Sequence, residues 1–260
     1  MSDSIAECGD VYQPELRSPS WIGRVFPSLS FYQMFVANVI RSSRIARRGQ
    51  YDGETWARSS FKVLTDLQSI GASVRIEGLD QIRKLETPCV FVANHMSTLE
   101  TMVLPAIIQP IRPVTFVVKK SLLEYPFFKH IVGSRNPIAV SRENAREDLK
   151  TVTKLGVERL RDGISIVVFP QTTRSTSFDA KKFNSIGVKL AAKAKVPLMP
   201  VALRTDAWGN GNLVKDFGPV DTSLPVRFAF GSPLPIIERG AEQHQQAIEF
   251  IESKLRSWSS

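Results

Sequence analysis

Apolar positions along the chain change period several times, and each change predicts an element. Residues 54–70 place Phe61, Leu64, Leu67 and Ile70 on one helical stripe, with Gly71 as the stop. Val74 and Ile76 then alternate with polar neighbours, as in a strand. Cys89 to Ala93 is a continuous apolar run, expected of a strand covered on both faces. The same reading gives a helix over Leu99–Ile108 and a strand over Val114–Val118. Leu122–Val132 is helical in part and broken at Pro126. Ile138–Val140 is a short strand, and Glu143–Arg161 a long helix closed by Gly163. Ile164–Phe169 is a second buried strand, Ser185–Lys195 a helix, and Leu198–Leu203 and Val226–Phe230 are strands. A final helix puts Ile248, Ile251, Leu255 and Trp258 on one face. Strands alternating with helices in this way predict an α/β fold, a mostly parallel sheet flanked by helices.

The N-terminal fifth follows a different pattern. Residues 1–15 are polar and expected to be disordered. The window between Arg24 and Arg41 is uncharged but only 16 residues long, and it contains Pro27, Ser28, Ser30, Gln33 and Asn38. A spanning helix needs about 20 mostly apolar residues, so this one is too short and too polar. Phe31, Met34, Phe35 and Val39 share a helical face, and arginines follow. The segment therefore reads as an amphipathic helix lying in a membrane interface, with Trp21, Phe26, Phe31, Tyr32, Met34 and Phe35 offered for insertion. The alternative is a helix packed on its own domain with a solvated arginine end. The division that results is a polar tail and interfacial segment over 1–50 and an α/β domain over 51–260.

Charge sharpens that picture. The net charge is +9, and between residues 16 and 48 there is no Asp or Glu against Arg17, Arg24, Arg41, Arg44, Arg47 and Arg48. Such a field needs an anionic partner, whether a lipid surface, a nucleic acid or an acidic protein, and the amphipathic segment favours the lipid surface. Nucleic acid is not expected, because no stacking aromatics interleave with the basic residues and no nucleic-acid fold motif is present. Cys8 and Cys89 make no disulfide framework, and no metal set is expected. That cysteine usage makes a reducing compartment the default, and no secretory leader is expected, since the first residues lack a basic start followed by an apolar stretch. There is no glycine-rich phosphate loop and no dinucleotide fingerprint, so no bound cofactor is expected.

The chemistry concentrates at two strand exits. His95 directly follows the buried run in Asn94-His95-Met96-Ser97-Thr98-Leu99-Glu100, and ligands of such sheets bind at the carboxyl ends of strands. A histidine there with a carboxylate five residues on has the parts of a general base and its orienting acid. Ser97-x-x-Glu100 is also a capping-box signature, and the two readings are compatible. His130 and His244 lack such a setting. His130 reads as packing or surface, and His244 as a solvated helix residue. At the second exit, Phe169-Pro170-Gln171-Thr172-Thr173-Arg174-Ser175 offers backbone amides, hydroxyls and an arginine suited to an anion, with Lys181 and Lys182 close behind. An ordinary polar loop is the plain alternative.

These blocks, in this order, resemble the lysophosphatidate and glycerol-3-phosphate acyltransferase family. Its first block reads Asn-His-x-Ser-x-x-Asp, matched at Asn94 to Glu100. Lys119-Lys120-Ser121-Leu122 through Pro126-Phe127-Phe128 is similar to the segment leading to its second block, which Pro137 to Arg142 matches. Its third block, Phe-Pro-Glu-Gly-Thr-Arg-Ser, corresponds to Phe169 to Ser175, and its valine-proline strand to Val196-Pro197-Leu198-Met199-Pro200-Val201. The resemblance covers about residues 90–203. It implies an enzyme that transfers a fatty acyl group from an acyl thioester to a hydroxyl of a lysophospholipid-type acceptor, with 1-acylglycerol-3-phosphate favoured, in phospholipid synthesis. The donor is acyl-CoA or acyl carrier protein, which serves as a substrate and not as a cofactor.

The resemblance further implies His95 and Glu100 as catalytic, and Arg142, Gln171, Thr172, Thr173, Arg174 and Lys182 as substrate-binding. The protein is expected at the cytoplasmic face of a membrane, bound peripherally. Two departures stand out. Glu100 replaces an Asp, and Gln171-Thr172 replaces Glu-Gly, which bears on the acceptor more than on the reaction. The same chemistry on another lipid acceptor, or a lipid-binding protein without turnover, are the other readings.

Overall fold

The computed structural model describes residues 5–16, 18–126, 128–171, 173–211 and 215–259. In chain order the elements are β1 (Val11–Tyr12), α1 (Trp21–Val25), α2 (Pro27–Arg47), α3 (Gly53–Ser69), β2 (Val74–Glu77), α4 (Leu79–Arg83), β3 (Val90–Ala93), α5 (Leu99–Ile108) and β4 (Val114–Lys119). They continue with α6 (Phe128–Gly133), β5 (Ile138–Val140), α7 (Ala145–Arg161), β6 (Ser165–Val168), α8 (Ile186–Ala194), β7 (Leu198–Arg204), β8 (Val226–Phe230) and α9 (Ala241–Ser257). The strands form one sheet in the order β1-β2-β8-β7-β3-β6-β4-β5. β3 lies between β6 and β7, parallel to both, and β4 and β5 continue the parallel half. β8 runs antiparallel to β7 and parallel to β2, and β1 closes the edge antiparallel to β2. The mostly parallel sheet expected from the alternation is what forms.

Side chains on successive strand residues point to opposite faces, so each central strand feeds two cores. Phe91, Val167, Met199, Leu203 and Phe228 join one hydrophobic cluster with side chains of α2, α3 and α5. Val90, Val92, Ile166, Val168 and Leu198 join a second with α7, α8 and α9. The uninterrupted apolar run of β3 is the result: both of its faces are covered. α8 approaches β3 so closely that a Cβ on Gly187 would collide with Val92. Gly71 ends α3 with φ +99°, a backbone state that other residues enter at a cost.

The N-terminal expectations need two corrections. Residues 5–15 are tied down, not loose. Ile5 is fully buried, β1 pairs with β2, and Asp10 accepts a hydrogen bond from Asp80 N at 3.0 Å. The face of α2 assigned to a membrane is also partly wrong. Phe31 and Phe35 are buried, their rings 4.9 and 5.0 Å from that of Trp208, and Tyr32 donates its hydroxyl to the Gly218 carbonyl at 2.5 Å. Trp208 lies far away in sequence, and burying a phenylalanine there stabilises the fold by about 1.5–3 kcal/mol, more than a solvated face offers. The large apolar side chains left exposed in α1, α2 and the link between them are Trp21, Ile22, Val25, Phe26, Leu29 and Val36. Arg17, Phe127 and Thr172 lie outside the described residues.

Candidate active site

β3 ends at Ala93 and the chain turns through residues 94–98 before α5 begins. Asn94 staples this turn to the next strand, since its amide donates to the Leu203 carbonyl and accepts from Leu203 N, both at 2.8 Å. The backbone of His95 is then held from the opposite side. His95 N donates to Gln171 Oε1 at 2.8 Å, and Ser175 N donates to His95 O at 2.9 Å. The two strand-exit loops singled out in the sequence are thus laced together at His95.

The imidazole is clamped between two partners. Its ring stacks on Phe169, centroids 4.4 Å apart, and Nδ1 lies 2.9 Å from Glu100 Oε1. Glu100 is completely buried. Its oxygens also accept from Met96 N at 2.7 Å, Ser97 N at 3.0 Å, Ser97 Oγ at 3.0 Å and Thr205 Oγ1 at 2.5 Å. Burial alone pushes its carboxyl up, but the hydrogen bonds and attraction of His95, with those of Thr205 and Ser97, outweigh this and hold it below the usual carboxylate value. An ionised carboxylate can only accept, so Nδ1 carries a proton, and in the neutral imidazole Nε2 is the nitrogen with the lone pair. Nε2 has no hydrogen-bond partner among the described residues, and the ring lines a cavity of about 790 Å³. Both contacts expected of Glu100 are present, because one carboxylate binds the turn's amides and the His95 imidazole.

Two arginines stand at the same cavity. Arg142, in a left-handed conformation with φ +63°, has its backbone N–H on Asp148 at 2.8 Å. Partial burial and the nearby Arg174 charge pull its guanidinium below the usual range, against the opposite pull of Asp148. Arg174 pairs with Asp216 and donates to the Lys215 carbonyl at 3.2 Å. Thr98 Oγ1 donates to the Asp216 carbonyl at 3.2 Å, which draws the 215–217 segment over the site. Asp216 is the acid among the described lining residues, set against Lys119, Arg135, Arg142, Arg174 and Lys215.

The other expected site residues divide. Thr173 lines the cavity. Gln171 is buried and turned onto the His95 backbone, so it shapes the turn where contact with the acceptor was expected. Lys182 is not brought to the site. Its ammonium pairs with Asp179 at 3.4 Å, with 78% of the side chain exposed, because Asp179 caps the short turn that carries it. Thr172 lies outside the described residues. His244 is half-buried on Phe183, not solvated. Cys89 is fully buried and its thiol is pushed up to about 12, as for an inert core residue. No group of three or more His, Cys, Asp or Glu among the described residues is placed to hold a metal ion. Asn94, Thr205 and Asp216 also build the site, beyond the residues expected from the sequence. Only Asn94, beside His95, carried a local signal.

A buried histidine–carboxylate pair at a strand exit, facing a basic cavity, is an arrangement for moving a proton next to an anionic substrate. The sequence profile of the family described as Acyltransferase matches residues 73–204, half of the chain, and the chain belongs to that family. It is 32% identical over 178 residues to a 1-acyl-sn-glycerol-3-phosphate acyltransferase of Pseudomonas aeruginosa, covering 68% of this chain and 64% of that one. A Haemophilus influenzae protein of the same description is 28% identical over 153 residues, covering 56% and 63%. The chain thus spans under two thirds of the length of these relatives. Among solved structures, the 1-acyl-sn-glycerophosphate acyltransferase PlsC of Thermotoga maritima superposes with a TM-score of 0.65 at 19% identity, over 90% of this chain and 95% of that one, so the fold is shared.

Proposed function

We propose that the chain transfers a fatty acyl group from an acyl thioester, acyl-CoA or acyl carrier protein, to the free hydroxyl of a lysophospholipid, with 1-acylglycerol-3-phosphate favoured. The observation that carries this is the orientation of His95, with Nδ1 held by an ionised Glu100 and Nε2 open to a basic cavity. The relatives described as 1-acyl-sn-glycerol-3-phosphate acyltransferases support it. In this mechanism the acceptor oxygen attacks the thioester carbonyl as His95 Nε2 takes its proton. The thiolate leaves as the tetrahedral intermediate collapses, and the proton passes from the imidazolium to sulfur. Glu100 stabilises the imidazolium. General-base assistance of this kind contributes roughly 10²–10⁴-fold, and positioning contributes further.

Arg142 and Arg174 hold the acceptor's phosphate, with charge-assisted bonds. The acyl chain runs into the cavity along Phe169, Phe116 and Val118. Lipid substrates require an approach to the bilayer, and no helix among the described residues is long and apolar enough to cross one. Peripheral docking through exposed Trp21, Ile22, Val25, Phe26 and Leu29, with Arg24, Arg41 and Arg44 against anionic lipid at the cytoplasmic face, meets that requirement.

One observation favours a different lysolipid acceptor. Arg174 is already engaged by Asp216, which leaves less positive charge for a phosphate monoester. Both readings are tested by supplying acyl-CoA or acyl carrier protein thioester with a panel of lysolipids. The proposal expects fastest turnover with 1-acylglycerol-3-phosphate. Preference for a neutral or zwitterionic lysolipid selects the second reading, and no transfer to any of them overturns both.

A further inference from the structure

The cavity that begins at His95 does not end in hydrocarbon. Its wall is a ladder of rings: His95 stacks on Phe169, Phe169 lies 6.4 Å from Phe116, and Phe116 lies 5.8 Å from Trp56. Beyond Trp56 the lining turns polar. The Arg135 guanidinium lies 5.7 Å from the Trp56 ring centre. Its Nε and Nη2 donate to the Ser134 carbonyl at 3.0 and 2.8 Å, and it makes no ion pair among the described residues. Nη1 has no hydrogen bond among them either. Beside it, Tyr51 is buried and its hydroxyl lies 2.5 Å from Ser59 Oγ, which itself donates to the Trp56 carbonyl at 3.0 Å, so the pair offers acceptor lone pairs. Ser42, Ser59 and Asn38 line the same end, and Asn38 donates to the Ser59 carbonyl at 2.8 Å. A wall built to stop a methyl group has no use for a guanidinium with a spare N–H and a pair of coupled hydroxyls.

We infer that this far end is a recognition site for an acyl chain whose distal end carries a hydroxyl, read by Arg135 and the Tyr51–Ser59 pair. This rests on the reading that the cavity holds the acyl chain. A hydroxyl oxygen accepts from Arg135 Nη1, and its proton is donated to the Tyr51–Ser59 oxygens. A plain chain of the same length covers the Arg135 Nη1 N–H and the hydroxyl lone pairs and returns nothing, and an unmade hydrogen bond of that kind disfavours binding by roughly tenfold or more. Chains too short to pass Trp56 do not meet these groups and are not discriminated.

The test uses the full chain and pairs of fatty acids matched in length and long enough to pass Trp56, one plain and one bearing a terminal hydroxyl. Their Kd values are read by displacement of a fluorescent fatty acid. The wild type is expected to bind the hydroxylated acid about tenfold more tightly, and Arg135→Met and Tyr51→Phe each to bring the ratio near one. Should Arg135→Met not fold, Tyr51→Phe carries the test. A ratio of one or below in the wild type, or a ratio that both variants leave unchanged, overturns the inference. Acyl transfer is measured in parallel with the matching thioesters. Turnover without the Kd ratio overturns this inference alone. A Kd ratio without any turnover overturns the transfer reading and supports the site.

Discussion

The two loops that meet at His95 hold their charges in opposite ways. In the turn after β3, the Glu100 carboxylate is wholly buried and surrounded by donors from His95, Met96, Ser97 and Thr205. In the loop after β6, Arg174 keeps about a quarter of its side chain in solvent and is held by one carboxylate and one carbonyl of a neighbouring segment. The first arrangement favours one orientation and one tautomer of the imidazole, because the other tautomer would turn a lone pair onto the buried carboxylate. The second leaves room for an incoming anion to replace Asp216. Under the proposed function, the base would be built in before substrate arrives and the headgroup site completed by the substrate, and the two should respond differently to mutation.

Glu100→Gln breaks the tighter side. The amide NH2 must face N–H or O–H donors, so both stability and rate fall. Loss of a charge-assisted bond to the imidazolium costs about 1.5–3 kcal/mol, or roughly ten- to a hundredfold in kcat. The effect on folding has a pH signature. The Glu100 carboxyl is held below its ordinary value of 4.5, so its contribution to stability is present above that pH and is lost as pH falls through the lower, folded value. Urea titrations from neutral to acid pH should show this loss in the wild type and its absence in the variant. A variant less stable but equally fast per folded molecule would leave Glu100 with the capping role alone.

On the looser side, Arg174→Ala should lower kcat/KM for a phosphate-bearing acceptor about tenfold, with little change in thermal stability. Asp216→Asn should act in the opposite sense and by less. A part-exposed pair is worth about 0.2–1 kcal/mol, so freeing Arg174 should improve the acceptor KM by up to about fivefold. If the donor KM responds in both variants and the acceptor KM in neither, the guanidinium serves the thioester's phosphates. Arg44→Gln is expected to have a comparably small effect, about 1 kcal/mol in binding to anionic vesicles, and only at low salt. Co-sedimentation at low and high salt reads it, with Trp21→Ser as the salt-independent counterpart.

What the sequence made legible was what it holds locally. His95 and Glu100 lie five residues apart at a strand exit, and both roles of the carboxylate follow from that spacing. The buried strands and the sheet's parallel half were legible because residues with both faces covered leave continuous apolar runs. Long-range partners were not. Gln171 meets His95 across 76 positions, Thr205 meets Glu100 across 105, and Asp216 meets Arg174 across 42. The N-terminal helix shows the same limit. Its apolar stripe was visible, but only the position of Trp208 decides that Phe31 and Phe35 turn inward while Trp21 and Phe26 stay out. Lys182 looked close to the site in sequence, yet the Asp179-capped turn carries it away.

The central claim is that Nε2 of His95 takes the acceptor's proton. Its most direct measurement is acyl transfer by His95→Ala, normalised to folded protein by circular dichroism and thermal melting, with acyl thioester and lysophospholipid at saturation. The account predicts an intact fold and a rate at least about 10²-fold lower, the usual loss when a general base is removed. A folded His95→Ala protein that turns over within about tenfold of the wild type would contradict it.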